Sequence, residues 1–416
     1  MIRHIVCSLL LLSPLKAQIY ADFSVSQGGN PLGTFRVELE HEKAPRTCAN
    51  FIGLATGKRP WIDQNTASVQ VGKPYYDGLT FHRLIHSFVI QGGSPNGLGT
   101  DGPGYTILDE YHQDLRHSSA YVLSMAKAGQ PNTGGSQFFI TLNSAPGLND
   151  KHSVFGKVIS NTALIDRFRN SADFPTGAND RPVTPLTMDK VTLSGPDYEN
   201  FDLGSPSLRL PHVSNTDMKI SHDPEANTMT ATFNRQPRSE YFFTQSPDLS
   251  TWSNPRYIFG SGPASDHSYV LTSRTEPAYF LNLATVDYAQ IPDAPTDLLN
   301  SPKTLRIKFT DGSSLDFQMD GLGGGTWIES PSLRTGAITS SAWTDQATGN
   351  EIYENSYSQA HQLPLGLLNM TISDYFGAGQ SGNLVFWLSF HTPTSGWTEE
   401  LGNNPANRFA FGILSN

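Results

Sequence analysis

Residues 81–155 constrain the fold of this chain more than any other segment. They include the runs FHRLIHSFVIQGG, LSMAKAGQPNTGGSQFFITL and LNDKHSVFG. Short apolar runs rich in β-branched residues alternate here with glycine pairs, which is typical of strands separated by turns. Arg83 and His152 stand isolated among aromatics and glutamines, without a nucleophile beside a base and without metal-ligand spacing. Such a set predicts a site that binds an uncharged, partly apolar group noncovalently, with no metal and no cofactor.

The order and spacing of these motifs resemble those of the cyclophilin family of peptidyl-prolyl cis–trans isomerases, over roughly residues 20–195. The resemblance implies a mainly β fold for residues 18–197, a closed eight-stranded barrel capped by two helices. It also implies that X–Pro peptide bonds are rotated at a site whose catalytic residues are Arg83, Gln91, Phe139 and His152. Arg83 would stabilise the twisted amide, and Gln91 would bind the substrate carbonyl and hold Arg83 in place.

The same resemblance implies six substrate-binding residues. They are Phe88, Val89, Ala126, Lys127, Gln137 and Leu148. In the family pattern, Phe88, Val89 and Leu148 join Phe139 in a pocket for the proline ring. The backbone of Ala126 and Lys127 pairs with the substrate, and Gln137 lies with His152 on the pocket rim. Proline-containing peptides and unfolded proteins are the partners that this site predicts.

Three positions depart from the best-known family pattern. Val89 stands where those members carry Met, Gly147 where they carry Trp, and Lys127 where many carry Asn. The first change makes the pocket shallower, and the second removes an aromatic wall. Because aromatic walls provide much of the contact area for apolar ligands, we predict weak binding of the cyclic peptide cyclosporin.

Each site residue also has a structural interpretation when it is considered alone. Phe88, Phe139 and Leu148 are ordinary core residue types, and a single arginine is most often a surface residue. An isolated histidine such as His152 is more often structural than catalytic. Only the combined order and spacing favour a site, and they do so most strongly for Arg83, Gln91 and Phe139.

The N-terminus and the charge content predict the compartment and exclude some partners. Residues 1–17 combine a short basic start with an apolar run, too short for a membrane span, which predicts a secretory signal peptide. We therefore expect an exported protein, periplasmic or extracellular, with no membrane span. The net charge of −10 and the lack of a basic run argue against nucleic-acid binding.

The composition changes after residue 197, where two further β modules are predicted. Residues 196–211 are rich in Pro, Ser and Asp, which predicts an exposed linker with few contacts at 198–211. Short alternating strands follow and indicate a sandwich-like module at 212–290. A second linker is expected at 291–303 and a C-terminal β module at 304–416, beginning with a hairpin around Asp311-Gly312. Both modules resemble, weakly, β modules of secreted bacterial proteins.

Three functions are compatible with these features. The first is a prolyl isomerase that assists the folding of exported proteins. The second is a chaperone that binds Pro-containing segments in the same pocket without turnover, with Arg83 misplaced. The third is a surface-adhesion or glycan-binding protein, in which the β modules carry the main function and four of the six tryptophans lie in the last module. The retained Arg83 separates the first from the second only in part, because a binding protein could also keep it.

Overall fold

A computed structural model describes residues 18–129, 131–226, 228–253, 256–260, 264–271, 280–289 and, in the C-terminal part, 302–309, 313–320, 325–330, 335–338, 340–342, 355–356, 367–372, 384–392, 395–401 and 410–415. The predicted signal peptide at 1–17 lies outside the described residues. So does the predicted linker at 291–303, except its last two residues, which begin a strand.

The N-terminal unit is a curled sheet of eight strands with a small added hairpin. Its strands are β1 Ile19–Gln27, β2 Asn30–Leu39, β3 Trp61–Asp63, β4 Ser68–Gln70, β5 Arg83–Ile85, β6 Val89–Gly92, β7 Val122–Met125, β8 Phe138–Thr141, β9 Val154–Ser160 and β10 Leu186–Ser194. The sheet order is β10-β1-β2-β9-β7-β8-β6-β5, and β3 pairs only with β4. The chain just before β5 closes the barrel, because Phe81 N–H donates to Leu186 O at 2.8 Å.

Two helices cap this barrel, as the sequence predicts. They are α1 Pro45–Thr56 and α2 Thr162–Arg167. Proline begins α1, where a missing N–H costs no hydrogen bond, and Gly57 ends it in the left-handed region with a φ of 72°. The barrel interior is aromatic: the Phe51 ring lies 5.9 Å from both the Phe23 and Phe138 rings. This packing fixes the sheet that carries the site.

The rest of the described chain consists mainly of strands. They are β11 His212–Asn215, β12 Lys219–Asp223, β13 Thr228–Arg235, β14 Ser239–Ser246, β15 Arg256–Gly260, β16 Ser265–Leu271, β17 Phe280–Asp287, β18 Pro302–Phe309, β19 Ser314–Asp320, β20 Gly325–Ser330, β21 Thr335–Ile338, β22 Ser340–Ala342, β23 Asn355–Ser356, β24 Leu367–Ile372, β25 Leu384–Thr392, β26 Ser395–Leu401 and β27 Ala410–Ser415.

Two sheets form the middle module. Their orders are β11-β17-β14-β15-β23 and β12-β13-β16. Side chains from both sheets, among them Phe233 and Tyr241, share one apolar cluster, so the module is sandwich-like. The short strand β23 comes from the C-terminal part of the chain and pairs with β15.

The C-terminal part forms a nine-stranded sheet in the order β21-β20-β19-β18-β27-β26-β25-β24-β22. Its end strands, β21 and β22, are separated by one residue along the chain. The two edges of the sheet therefore lie close together, and the sheet curls back on itself. The predicted first hairpin is present as β18 and β19, with Leu305 opposite Phe317. The turn at Asp311-Gly312 and the side chains of Trp327, Trp343, Trp387 and Trp397 lie outside the described residues.

The segment 198–211 is not the contact-poor connection that its composition predicts. Leu208 is buried, and its carbonyl accepts a hydrogen bond from Arg46 Nε at 2.7 Å. Phe201 packs edge-on against His41, with ring centroids 5.6 Å apart. Val213 and Tyr288 of the middle module belong to the same apolar cluster as the barrel core. The expectation of few contacts fails because the segment carries apolar residues of its own, and Phe201, Leu203 and Leu210 pack against the core cluster.

Candidate functional site

Three of the predicted catalytic residues lie side by side on the outer face of the barrel. Arg83 in β5 is directly opposite Gln91 in β6, and Gln91 is directly opposite Phe139 in β8. Directly opposite residues of antiparallel strands project on the same face of a sheet. The next row, which includes Leu84 and Ile90, is fully buried and faces the core. Because side chains alternate along each strand, the apolar row packs in the core and the row of Arg83, Gln91 and Phe139 lies on the outer face.

The Phe139 ring is held between two histidines. His152, a predicted site residue, meets it edge-on at 5.3 Å between ring centroids. His117 stacks on it at 5.8 Å and is fully buried, with its ring nitrogens near Asn149 Oδ1 and Ser124 Oγ. Sequence reasoning missed His117, because an isolated histidine in the run LRHSS has no pattern that separates it from a surface residue.

His152 is oriented by one backbone contact. Its Nδ1 lies 3.0 Å from the Met125 carbonyl oxygen, which can only accept, so Nδ1 carries the proton. Burial lowers the pKa of His152, partly offset by this hydrogen bond. The ring is therefore neutral at pH 7, and its Nε2 presents a lone pair that can accept a hydrogen bond from a bound peptide.

A chain of amide contacts leads from Gln91 to a cavity. Gln91 Nε2 donates to Gln137 Oε1 at 3.0 Å, and Gln137 Nε2 donates to Asp101 O at 2.8 Å. These bonds hold both glutamine side chains in one orientation. A cavity of about 280 Å³ adjoins them and is lined by Gln91, Gln137, Ala126 and Lys127, together with residues of the segment 99–106. Four predicted site residues therefore border one concave surface.

The remaining predicted pocket residues lie around Phe139. Val89 is buried and, two residues before Gln91 in β6, lies on the site face. Phe88 is half-buried in the turn between β5 and β6, and its backbone N–H donates to Ile85 O at 2.8 Å. Leu148 is half-buried in the 3-10 turn Pro146–Leu148, and its carbonyl accepts from His152 N–H at 3.2 Å. An apolar surface thus surrounds the Phe139 ring.

The Lys127 side chain points into the protein. Its Nζ lies 3.3 Å from Asp109 Oδ2, and both side chains are at most 5% exposed. The same carboxylate oxygen accepts hydrogen bonds from Tyr111 Oη and Asn132 N–H, each at 2.9 Å. Only the backbone of Lys127 is therefore available to a peptide. The ion pair ties the segment after β7 to the loop around Asp109.

Gly93 in the run QGG is required by close backbone approach. Its φ is 89°, and a Cβ at this position would lie 2.5 Å from Ser136 O. The freed space lets Ser136 Oγ donate to Gly93 O at 2.8 Å and lets Tyr76 Oη donate to Ser136 O at 3.0 Å. These bonds fix the end of β6 against the chain that leads into β8.

Arg83 has a partner that the sequence did not indicate. Its Nε donates to Asp180 Oδ2 at 3.3 Å, and both side chains are about half exposed, at 41% and 46%. The two terminal guanidinium nitrogens make no hydrogen bond to a residue that the structure describes. Asp180 therefore fixes one edge of the guanidinium and leaves the other edge for a ligand beside Gln91.

Asp180→Ala should lower kcat on X–Pro peptides about 2- to 5-fold, because an exposed ion pair contributes up to about 1 kcal/mol toward holding Arg83. KM should change less, since Asp180 does not touch the peptide. Asp180→Asn keeps an oxygen acceptor for Nε and should restore most of kcat. Steady-state kinetics of both variants check this. An equal loss in the Asn and Ala variants would contradict a positioning role.

Burial lowers the pKa of His117 to about 4, against 6.5 for a free histidine. Between these values the unfolded chain binds the proton and the folded chain does not, so stability rises with pH across this window. Acidification from pH 6.5 to 4 should therefore remove on the order of 3 kcal/mol through His117. Burial lowers the pKa of His82 to about 4 as well. Acidification therefore also lowers the stability of the folded chain through His82.

Thermal unfolding of the full chain at pH 7 and pH 5 measures this effect. In His117→Gln the loss of Tm between the two pH values should be smaller than in the wild type. An unchanged pH dependence in this variant would show that His117 does not couple protonation to folding.

No group of three or more His, Cys, Asp or Glu side chains in the described residues could hold a metal ion. Within the same residues, no helix has the length and apolar character needed to cross a membrane.

The N-terminal part of the chain is similar to known proteins. The family model "Cyclophilin type peptidyl-prolyl cis-trans isomerase/CLD" matches residues 20–193. Peptidyl-prolyl cis-trans isomerase A of Mycobacterium tuberculosis is 43% identical over 164 residues, which cover 39% of this chain and 87% of the relative. Peptidyl-prolyl cis-trans isomerase B of Streptomyces anulatus is 38% identical over 178 residues, or 42% of this chain and 97% of the relative. A solved structure of a cyclophilin type peptidyl-prolyl cis-trans isomerase from Cryptosporidium parvum is 28% identical in sequence. Its alignment covers 43% of this chain and 98% of the solved chain, with a TM-score of 0.36.

Proposed function

Since this chain belongs to the family of cyclophilin-type peptidyl-prolyl cis–trans isomerases, we propose that it isomerises X–Pro bonds of exported proteins and so assists their folding. The observation that carries the proposal is the row of Arg83, Gln91 and Phe139 on one face of the barrel. This row places a cation, an amide and an apolar ring beside one another. An X–Pro peptide has complementary groups: an imide nitrogen for Arg83, a carbonyl for Gln91 and the proline ring for Phe139.

The chemistry needs no proton transfer and no covalent intermediate. Resonance in the amide creates a barrier of about 18–20 kcal/mol, and twisting the C–N bond localises the lone pair on nitrogen. Hydrogen-bond donors that meet the twisted amide better than the planar one lower this barrier. The free edge of the Arg83 guanidinium would supply the donors. The surface around Phe139 would hold the proline ring while the rest of the peptide turns.

Gln91 and the backbone after β7 would hold the peptide in place. Gln91 Nε2 is engaged with Gln137, which orients its amide next to Arg83. Ala126 N–H already donates to Gln137 O at 2.9 Å, so Ala126 would meet a peptide through its carbonyl. A half-buried His152 Nε2 would accept from a peptide N–H. Fixed contacts of this kind favour catalysis, because reorganisation during the reaction is small.

A peptide assay separates catalysis from binding alone. The full chain is mixed with a short X–Pro peptide, and the cis–trans exchange rate is measured by NMR. An isomerase accelerates exchange at catalytic concentration, whereas a binder without turnover shifts peptide resonances but leaves the rate unchanged. Faster refolding of a protein whose folding is limited by proline isomerisation would extend the result to protein substrates. Unchanged exchange in the presence of folded protein would reject the proposal.

The exported location rests on residues 1–17 alone. Expression in a bacterial host with and without these residues, followed by fractionation, tests it. We expect the chain that retains them to leave the cytoplasm in a shortened form, and the chain without them to remain inside. Retention of both chains in the cytoplasm would reject the signal. Weak cyclosporin binding stays a prediction; Gly147 is exposed, and a Cβ built there meets no atom within 4 Å.

A further inference from the structure

The middle module touches the walls of the cavity beside Gln91. Asn282 in β17 donates from Nδ2 to Thr66 O at 2.8 Å. Thr66 lies in the turn between β3 and β4, and Gln64 of the same turn lines the cavity. Gln64 Nε2 donates to Gly102 O at 3.1 Å, on the adjoining wall. The hairpin is thus fixed between the module on one side and the cavity on the other.

Tyr288 makes a second, independent contact. It is fully buried, its hydroxyl donates to Glu240 Oε2 at 3.4 Å, and the same hydroxyl interacts with the backbone of Thr106. Thr106 lines the cavity and is 9% exposed, and its Oγ1 has no hydrogen-bond partner among the residues that the structure describes. The module therefore holds a residue of the cavity wall through the buried Tyr288 hydroxyl.

A third contact passes through Arg59. Its guanidinium donates to the carbonyl of Pro211, just before the module begins, and its Nε donates to Tyr105 Oη at 2.8 Å. The same guanidinium lies over the Tyr105 ring, 4.7 Å from the centroid. Tyr105 also lines the cavity. Two wall segments, the turn between β3 and β4 and the segment 99–106, thus have contacts that begin outside the barrel.

We infer that the module at residues 212–288 sets the substrate selectivity of the isomerase, with Asn282 and Tyr288 as positioning residues of the cavity wall. This inference rests on the proposed function. Neighbouring residues of an extended peptide are spaced by about 3.3–3.6 Å, so a peptide held at Gln91 and Ala126 reaches the cavity with a side chain a few residues from the proline. Polar side chains such as Gln64, Gln91 and Gln137 line the cavity, which favours a polar side chain there.

Kinetics of the full chain on two kinds of peptide test the inference. One set shares an X–Pro bond and varies the residues one to three positions away on either side. The other is a blocked X–Pro dipeptide, which does not reach the cavity. Asn282→Ala should change the ratio of kcat/KM between polar and apolar peptides about 3- to 10-fold, chiefly through KM. Activity on the dipeptide should stay at the wild-type value.

Two further variants keep the test decisive. Tyr288→Phe retains the buried ring and removes only the hydroxyl, so it should shift selectivity in the same direction without unfolding the module. Asn234→Ala is the matched control, because Asn234 is an exposed residue of the same module that contacts Asp266 rather than the barrel. It should leave every ratio unchanged.

Two negative results remain distinguishable. Wild-type ratios in both Asn282→Ala and Tyr288→Phe, with an active wild-type chain, would overturn the inference and leave the proposed function intact. A wild-type chain that accelerates exchange of no peptide would reject both.

Discussion

Replacing Arg83 with alanine should lower kcat/KM on X–Pro peptides about 100- to 1,000-fold, the usual cost of removing one donor aimed at transition-state charge. The loss should fall mainly on kcat, because the guanidinium meets the twisted amide better than the planar one. Arg83→Lys should recover only part of the rate, since an ammonium cannot pair with Asp180 and the substrate through two separate edges.

The fold should survive this substitution. Arg83 is 41% exposed and forms a surface ion pair with Asp180, so its removal leaves no buried charge. Arg36→Ala is the matched control: Arg36 lies on β2, pairs with Asp22 at 2.7 Å and is 42% exposed. That variant should keep wild-type activity. A folded Arg83→Ala protein with more than half of the wild-type rate would remove Arg83 from the mechanism.

Asp109→Ala should destabilise the barrel by about 3–5 kcal/mol, because it leaves the Lys127 ammonium buried without its counter-charge. Tyr111 and Asn132 lose their shared acceptor in the same step. Hydrogen exchange of the β7 and β8 amides, followed by mass spectrometry, reports the local free energy of opening. Exchange in these strands should become far faster than in the wild type.

An exposed ion pair in the same barrel provides the comparison. Asp22→Ala breaks the contact with Arg36 and should cost at most about 1 kcal/mol, since water solvates the remaining charge. The double variant Asp109→Leu with Lys127→Met removes both charges and should recover much of the stability lost in Asp109→Ala. Equal effects of Asp109→Ala and Asp22→Ala would show that the Lys127–Asp109 pair is not desolvated.

The row of Arg83, Gln91 and Phe139 was predicted from the family resemblance, which rests on local motifs that recur in order, and its role in catalysis stays a prediction. Arg83, Gln91 and Phe139 lie on short strands whose alternate residues are fully apolar, and that alternation determines which face each side chain occupies. The helix boundaries followed from Pro45 and Gly57 for the same reason. Residues that act through side-chain contacts across loops were missed. His117 and Asp180 approach the site from polar loops, in which no pattern separates them from surface residues.

Lys127 shows the limit within the site itself. Its position after Ala126 predicts a backbone that faces the substrate, but nothing local shows where its long side chain goes. The direction depends on Asp109, Tyr111 and Asn132, which come together only when two loops meet. A charged side chain is normally exposed. The Lys127 side chain is buried because the Asp109 carboxylate compensates the desolvation of its ammonium group.

The sequence by itself determined the two helices and the all-β character of the chain that follows, and its resemblance to the cyclophilin family implied the barrel and the row of Arg83, Gln91 and Phe139. These depend on periodicity, turn residues and motif spacing, which are properties of short segments. The tertiary structure alone decided how the middle module meets the barrel. The bond between Asn282 and Thr66 joins residues 216 positions apart, and a contact of that range leaves no periodic signal in either segment. The Pro, Ser and Asp content of residues 196–211 indicated an exposed linker, but the burial of Phe201, Leu208 and Leu210 depends on the surface that they meet, and that surface exists only in the folded protein.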